Sequence, residues 1–203
     1  VCPTNALDIQ EDRRAMIKEE DCINCGACMA ACPFGAISDK SYIVPVINNL
    51  KENKNIYAVM APSITGQFGP NVTVGQVKDA LIKIGFKDMV EAALGADAVT
   101  LHEALEFVER MEQGAKYMTN SCCPGFVGYI EKKFKDEVHN ISNTVSPMVA
   151  TARLIKNKDK DAVVVFIGPC TAKKVEMRRE NLKDAVDYVL TFEEIAALIG
   201  SYR

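Results

Sequence analysis

The sequence predicts an α/β fold with a largely parallel sheet, preceded by a small module of different texture. Three observations carry this. From Ile56 onward, short apolar runs alternate with amphipathic stretches, the pattern of repeated strand–helix units. The run Ala162-Val163-Val164-Val165-Phe166-Ile167 is nearly all β-branched or aromatic, as expected for a strand buried on both faces. Before this pattern begins, five of the eight cysteines crowd into the first 32 residues, where long periodic segments are lacking.

The elements follow in order. Residues 1–40 cannot rely on a hydrophobic core, since about 40 residues is near the limit for folding unaided. Residues 41–54 read as a linker with one short helix. The main domain, 55–203, opens with a strand over 56–61 that Pro62 ends. A helix over 74–84 carries Val74, Val77, Leu81 and Ile84 on one face and stops at Gly85. A short strand is expected over 88–92. A helix over 97–112 places Leu101, Leu105, Val108 and Met111 on an apolar stripe. A strand over 117–119 leads into Ser121. Pro124 suits a first helical turn and starts a helix through Phe126, Val127, Ile130 and Phe134. There follow a helix over 147–156, strands over 162–167 and 187–190, and a helix over 192–199 capped by Thr191.

Composition excludes several functions. Net charge is −3, from 24 basic and 27 acidic residues without a basic block, so nucleic-acid binding has no electrostatic support. No apolar run is long enough to span a bilayer, so no membrane partner is expected. The start Val-Cys-Pro has no signal-peptide pattern. Cysteine spacing matches metal ligation rather than a secreted disulfide scaffold, which points to a reducing, cytosolic compartment.

Cys22-Ile-Asn-Cys25-Gly-Ala-Cys28-Met-Ala-Ala-Cys32-Pro33 is a C-x2-C-x2-C-x3-C-P run. This is the bacterial ferredoxin spacing, whose fourth cysteine ligates the other cluster in two-cluster proteins. Cys2-Pro3 reads as the tail of an earlier run, because CPTNALDI and CPFGAISD are parallel. Cys2, Cys22, Cys25 and Cys28 are therefore expected to hold one [4Fe–4S] cluster. Cys32 would serve a second, whose other ligands are absent. A zinc knuckle is the competing reading, but zinc sites favour paired C-x2-C units set far apart.

Three later cysteines lie in Thr119-Asn120-Ser121-Cys122-Cys123-Pro124-Gly125-Phe126 and Gly168-Pro169-Cys170-Thr171-Ala172-Lys173-Lys174-Val175-Glu176. Both segments precede predicted helices and follow predicted strands, so both belong at one edge of the sheet, where α/β sites form. Buried filler or a strained vicinal disulfide would also accommodate such cysteines.

TNSCCPGF and GPCTAKKVE resemble the first two signature segments of the iron-only ([FeFe]) hydrogenase large subunit, and the ferredoxin-like module ahead of them fits that family. The resemblance covers essentially the whole chain. It implies an H-cluster: a [4Fe–4S] cubane bridged to a two-iron centre carrying CO and cyanide. It implies reversible reduction of protons to hydrogen, with ferredoxin or a similar carrier as electron partner. By position, Cys123 and Cys170 would be cubane ligands and Cys122 the proton-passing thiol. Lys173 would hold a cyanide, Pro62 and Ser63 would line the cavity, and Ser121 would be a nearby hydroxyl donor. A proton relay would run from Cys122 through Glu103, Ser142 and Glu106, with Arg110 near the exit and Glu176 near the site. Glu103, Glu106 and Arg110 do share a helix face, although a solvated face is the simpler explanation of that pattern.

The chain departs from the resemblance in three places. Gly168 stands where the best-known members have Met, which would leave space and remove a polarizable contact. Phe126 stands where many have Trp. The third cysteine segment is missing, so the chain reads as a fragment cut at both ends that assembles no complete H-cluster alone. Alternative functions are a non-catalytic cluster-assembly factor and a hydrogen-sensing hydrogenase; a plain electron carrier would leave most of the chain unexplained. His102 and His139 are assigned no role.

Overall fold

The computed structural model describes residues 1–52 and 54–202; Asn53, in the predicted linker, and Arg203, at the end of the main domain, lie outside the described residues. The N-terminal module is a two-stranded antiparallel hairpin, β1 (Leu7–Ile9) and β2 (Ala15–Ile17), followed by one short helix, α1 (Ala27–Ala31). Within residues 1–40 only Thr4 and Ala6 are buried. That confirms the physical expectation that no apolar core holds this segment. The linker forms the helix α2 (Ile43–Lys51).

The main domain is built on four parallel strands: β3 (Ile56–Met60), β4 (Asp88–Glu91), β5 (Val163–Ile167) and β6 (Tyr188–Leu190). Their order across the sheet is β4-β3-β5-β6. Val164, Val165 and Ile167 of β5 are fully buried, as the β-branched run requires. The chain steps outward from β3 to β4, returns past β3 to β5, then steps outward again to β6. The switch point therefore lies between β3 and β5, and Met60 pairs with Ile167 at its rim. In such sheets the crevice outside the strand ends at the switch point is the ligand site.

The helices α3 (Val74–Lys83), α4 (Ala93–Glu112), α5 (Pro124–Lys133), α6 (Pro147–Lys158), α7 (Lys173–Glu176) and α8 (Phe192–Gly200) complete the domain. Thr73 and Gln76 form a capping box on α3, and Thr191 and Glu194 form one on α8. Gly85, with φ +110°, ends the turn after α3.

Two expectations fail. The segment 117–119 is not a strand: Thr119 makes only an isolated parallel bridge to Ile141. The backbone of Thr119 is committed to the 140–142 loop instead: its amide donates to the Asn140 carbonyl (2.8 Å) and its carbonyl accepts from the Ser142 amide (2.7 Å). The helix α4 begins at Ala93 rather than 97, and its apolar stripe faces outward: Leu101, Leu105 and Val108 are 61%, 62% and 54% exposed. The inward stripe is Gly95, Val99, Glu103, Glu106 and Arg110. It is fixed at Gly95, where α4 lies so close to α6 that a Cβ would stand 2.7 Å from the Pro147 carbonyl oxygen and 2.9 Å from the Thr151 nitrogen. Small residues carry no apolar periodicity, so the sequence pattern pointed to the opposite face.

Candidate metal centres

In the N-terminal module, the loop between β2 and α1 turns sharply through Asn24 (φ 55°) and Gly26 (φ 76°). Cys2, Cys22, Cys25 and Cys28 line one cavity of ≈ 230 Å³, whose lining does not include Cys32. Among the described residues, no three Cys, His, Asp or Glu side chains converge on a point that could hold a single ion. The four thiols share the lining of one cavity instead.

The two Cys-Pro turns are built alike. The Ala6 amide donates to Cys2 Sγ (3.2 Å), and the Ala36 amide donates to Cys32 Sγ (3.4 Å). Asn5 and Gly35 hold the same left-handed position in each turn, with φ 56° and 61°. A hydrogen bond with Thr4, helped by backbone amides against the effect of burial, brings the Cys2 thiol down to about 7. The Ala36 amide, followed by that of Phe34, lowers the Cys32 thiol. Both thiols are thus shifted toward the thiolate form. All eight cysteines are free.

The second site lies at the switch point. Pro62 and Ser63 follow β3; Gly168, Pro169 and Cys170 follow β5. The Ala61 amide donates to the Ile167 carbonyl (2.9 Å), which holds the two strand exits together. Gly168 does not leave space, as the sequence comparison suggested. A Cβ there would stand 2.7 Å from the Phe166 ring and 3.0 Å from Ala61 Cβ. The buried Phe166 ring leans along the strand over the glycine and occupies that volume.

The two cysteine segments meet beside these strand exits. A Cβ on Gly125 would reach Cys123 Sγ at 3.9 Å and Ala172 Cβ at 4.0 Å. Lys173, buried on α7, donates to the Cys122 carbonyl (3.0 Å) and pairs with buried Glu176 (2.7 Å). Cys122 is exposed. Its thiol is pushed up first by desolvation and then by the charge of Glu103.

The inward face of α4 supplies the rest. Glu103 accepts the Ser121 amide (3.3 Å), and the Ser121 hydroxyl is committed to the Thr144 carbonyl. Glu106 accepts from Ser142 Oγ (2.6 Å), the Asn143 amide (3.0 Å), Thr144 Oγ1 (3.3 Å) and Arg110 (2.6 Å). Burial opposes its ionisation, but the Ser142 hydroxyl, the Asn143 amide and Arg110 together hold its carboxyl below the usual range. Arg110 also donates to the His139 and Ile141 carbonyls (2.8 and 3.0 Å), fixing this loop against the helix. The structure thus joins Ser142, Glu106 and Arg110 directly. Among the described residues, the hydrogen bonds do not join Glu103 to Ser142 or to the Cys122 thiol. Asn143 and Thr144 were missed in the sequence because nothing in their spacing marks them.

A module with almost no buried core and four thiols around one cavity is joined to a parallel sheet with further cysteines beside its switch point, and the family matches make this an iron–sulfur protein. Residues 54–203 match the family described as "Iron only hydrogenase large subunit, C-terminal domain", and residues 1–36 match "4Fe-4S dicluster domain". The chain belongs to the iron-only hydrogenase large-subunit family. It is 33% identical over 190 residues to iron hydrogenase 1 of Clostridium pasteurianum, covering 82% of this chain and 33% of the relative. It is 28% identical over 214 residues to the cytosolic Fe–S cluster assembly factor NAR1 of Meyerozyma guilliermondii, covering 93% and 40%. Its fold matches the solved apo [FeFe]-hydrogenase HydA1 variant C377H from Chlamydomonas reinhardtii with TM-score 0.73 at 24% identity, over 80% of this chain and 48% of that one. The chain spans about a third of the length of iron hydrogenase 1 and of the similarly matched NADP-reducing hydrogenase subunit HndD of Solidesulfovibrio fructosivorans. Full-length proteins of this family carry [4Fe–4S] clusters and an H-cluster.

Proposed function

We propose that this chain is the electron-input module and part of the active-site wall of a hydrogenase catalysing 2H⁺ + 2e⁻ ⇌ H₂. The observation that carries the reading is the inward polar face of α4. Residues that would be solvated on an ordinary helix are turned inward here, and Glu106 is bound by four neighbouring residues. A cluster-assembly role needs the thiols but gives no reason for such a face.

Cys2, Cys22, Cys25 and Cys28 would hold a [4Fe–4S] cluster that takes electrons from ferredoxin or a similar carrier, and Cys32 would serve a neighbouring one. Cys123 and Cys170 are this chain's ligands for the cubane of the H-cluster. When bound, the di-iron group supplies the two-electron chemistry. Partial desolvation and the charge of Glu103 favour the protonated Cys122 thiol, which would hand its proton inward, with Glu103 as the next group of the route. Ser142 and Glu106 would form the outer part of the route, with Glu106 held ionised as acceptor and Arg110 steadying the exit. Lys173 places a buried positive charge over the site for a cyanide, with Glu176 orienting it. Pro62 and Ser63 close the crevice from β3, and the Ser121 backbone positions Glu103. The free cysteines suit a cytosolic compartment.

In the full-length, matured protein, Cys122→Ala and Glu106→Gln should each lower hydrogen turnover by about 10²-fold or more, the scale of a lost proton-transfer group. Iron content should be unchanged. A wild-type protein that carries its clusters yet neither forms nor consumes hydrogen would sink the enzyme reading and leave the assembly reading in its place.

A further inference from the structure

One short turn, residues 170–174, faces both sites at once. At its start is Cys170. The next residue, Thr171, donates its hydroxyl to the Asn24 carbonyl at 2.7 Å, across 147 residues of sequence. Asn24 is peptide-bonded to Cys25. Gly26, on the other side of Cys25, lies so close that a Cβ would stand 3.1 Å from Thr171 Oγ1 and 3.8 Å from its Cγ2, and its φ of +76° disfavours any side chain. Thr171 and Lys174 both line the cavity of the four thiols. Lys174, whose side chain is 5% exposed, pairs with Asp39 (2.6 Å) and Glu194 (2.9 Å) and donates to the Lys40 carbonyl (3.2 Å). The turn that carries a strand-end cysteine therefore holds the N-terminal module at two places, the loop around Cys25 and the exit at residues 39–40.

From these contacts we propose that Thr171 is a positioning residue for electron transfer. It latches the Cys22–Cys28 loop onto the Cys170 turn, giving a continuous path of covalent bonds and one hydrogen bond from Cys25 to Cys170. The inference rests on the hydrogenase reading for the identity of the acceptor group. In the step it would serve, Cys2, Cys22, Cys25 and Cys28 would hold the cluster that gives up one electron, and Cys123 and Cys170 would hold the group that takes it. No bond is made or broken. Electronic coupling decays more slowly through covalent and hydrogen bonds than across a van der Waals gap, so losing the hydroxyl weakens the coupling even where the fold persists. Lys174 serves a different purpose: it docks the module as a buried ion pair.

The test uses the full-length protein with its clusters assembled, comparing wild type, Thr171→Val and Thr171→Ser. Dithionite reduces the N-terminal cluster, and freeze-quench EPR follows the electron to the second site. The spin–spin interaction between the two centres is read from the same samples. Thr171→Val should keep its iron, slow the transfer because the hydrogen-bonded link is lost, and weaken the spin interaction. Thr171→Ser, which keeps the donor, should restore both. Amide exchange across residues 22–28 should quicken in Thr171→Val and return to normal in Thr171→Ser. Unchanged transfer and spin interaction in Thr171→Val, with full iron, overturns the latch and spares the hydrogenase reading. A wild-type protein that binds no iron at the four N-terminal cysteines overturns both.

Discussion

The thiol cavity of residues 2–28 and the place where residues 61–63, 121–123 and 168–173 come together both carry cysteines but are assembled differently. The first draws its four thiols from 27 residues of one module that buries only Thr4 and Ala6. Its geometry comes from tight left-handed turns and from amides aimed at sulfur. The second is supported by a sheet and by α4, and its parts arrive from segments dozens of residues apart. The first should depend on its ligands and hardly at all on core packing. The second should depend on packing as much as on its cysteines.

The largest effect tests that difference at the ligands. Cys25→Ser should remove close to all the iron bound by the N-terminal cavity after anaerobic reconstitution. It should also unfold residues 1–40, since metal binding supplies the folding energy of such modules. Cys32→Ser, outside the cavity, should leave that iron in place. Iron and its visible absorbance measure both outcomes. Equal loss from the two variants would mean that the cavity's four cysteines are not the ligand set.

The two sites were also unequally legible in the sequence. Cys2, Cys22, Cys25 and Cys28 could be chosen by spacing because local chain geometry determines which thiols share a cavity. The strands at 56–60 and 163–167 were legible because burial on both faces leaves a run of β-branched residues. The direction of α4 was not. Its outward face is the more apolar one, with Leu101 and Leu105, and its inward contact is made by Gly95. The hydrophobic pattern marks where apolar groups lie, whereas the fold here is decided by how closely two backbones can approach. Phe166 over Gly168 is a similar case: a missing side chain looked like a void and is a filled volume. The roles of Cys122 and Cys123 came from resemblance, since adjacency alone does not divide their work.

Gly95→Ala sharpens the comparison from the packing side. The added methyl would meet the Pro147 carbonyl and the Thr151 backbone, neither of which is a flexible chain end. Overpacking of this kind costs about 1–3 kcal/mol. The main domain should melt several degrees lower, and the Ser142–Glu106 contact should loosen as α4 shifts. Iron in the N-terminal cavity should be unaffected. If Gly95→Ala also empties that cavity, the two sites are not separable and the comparison fails.

The smallest effect concerns the charge at the end of the inward stripe. The fold depresses the Glu106 carboxyl, so its contribution to stability is present above the carboxyl's unfolded value, about 4.3. It is lost as pH falls from there through the lower folded value. Glu106→Gln keeps the shape and removes the titration. At neutral pH the variant should be less stable by about 0.5–1 kcal/mol, because Arg110 and Glu106 are a partly exposed pair reinforced by hydrogen bonds. Below about pH 4 the two denaturation midpoints should converge, and high salt should narrow the neutral-pH gap. A gap that stays constant to pH 3 would show that the variant lost packing rather than a charge. Glu106 would then be a structural residue, and the inward face of α4 would no longer argue for a proton route.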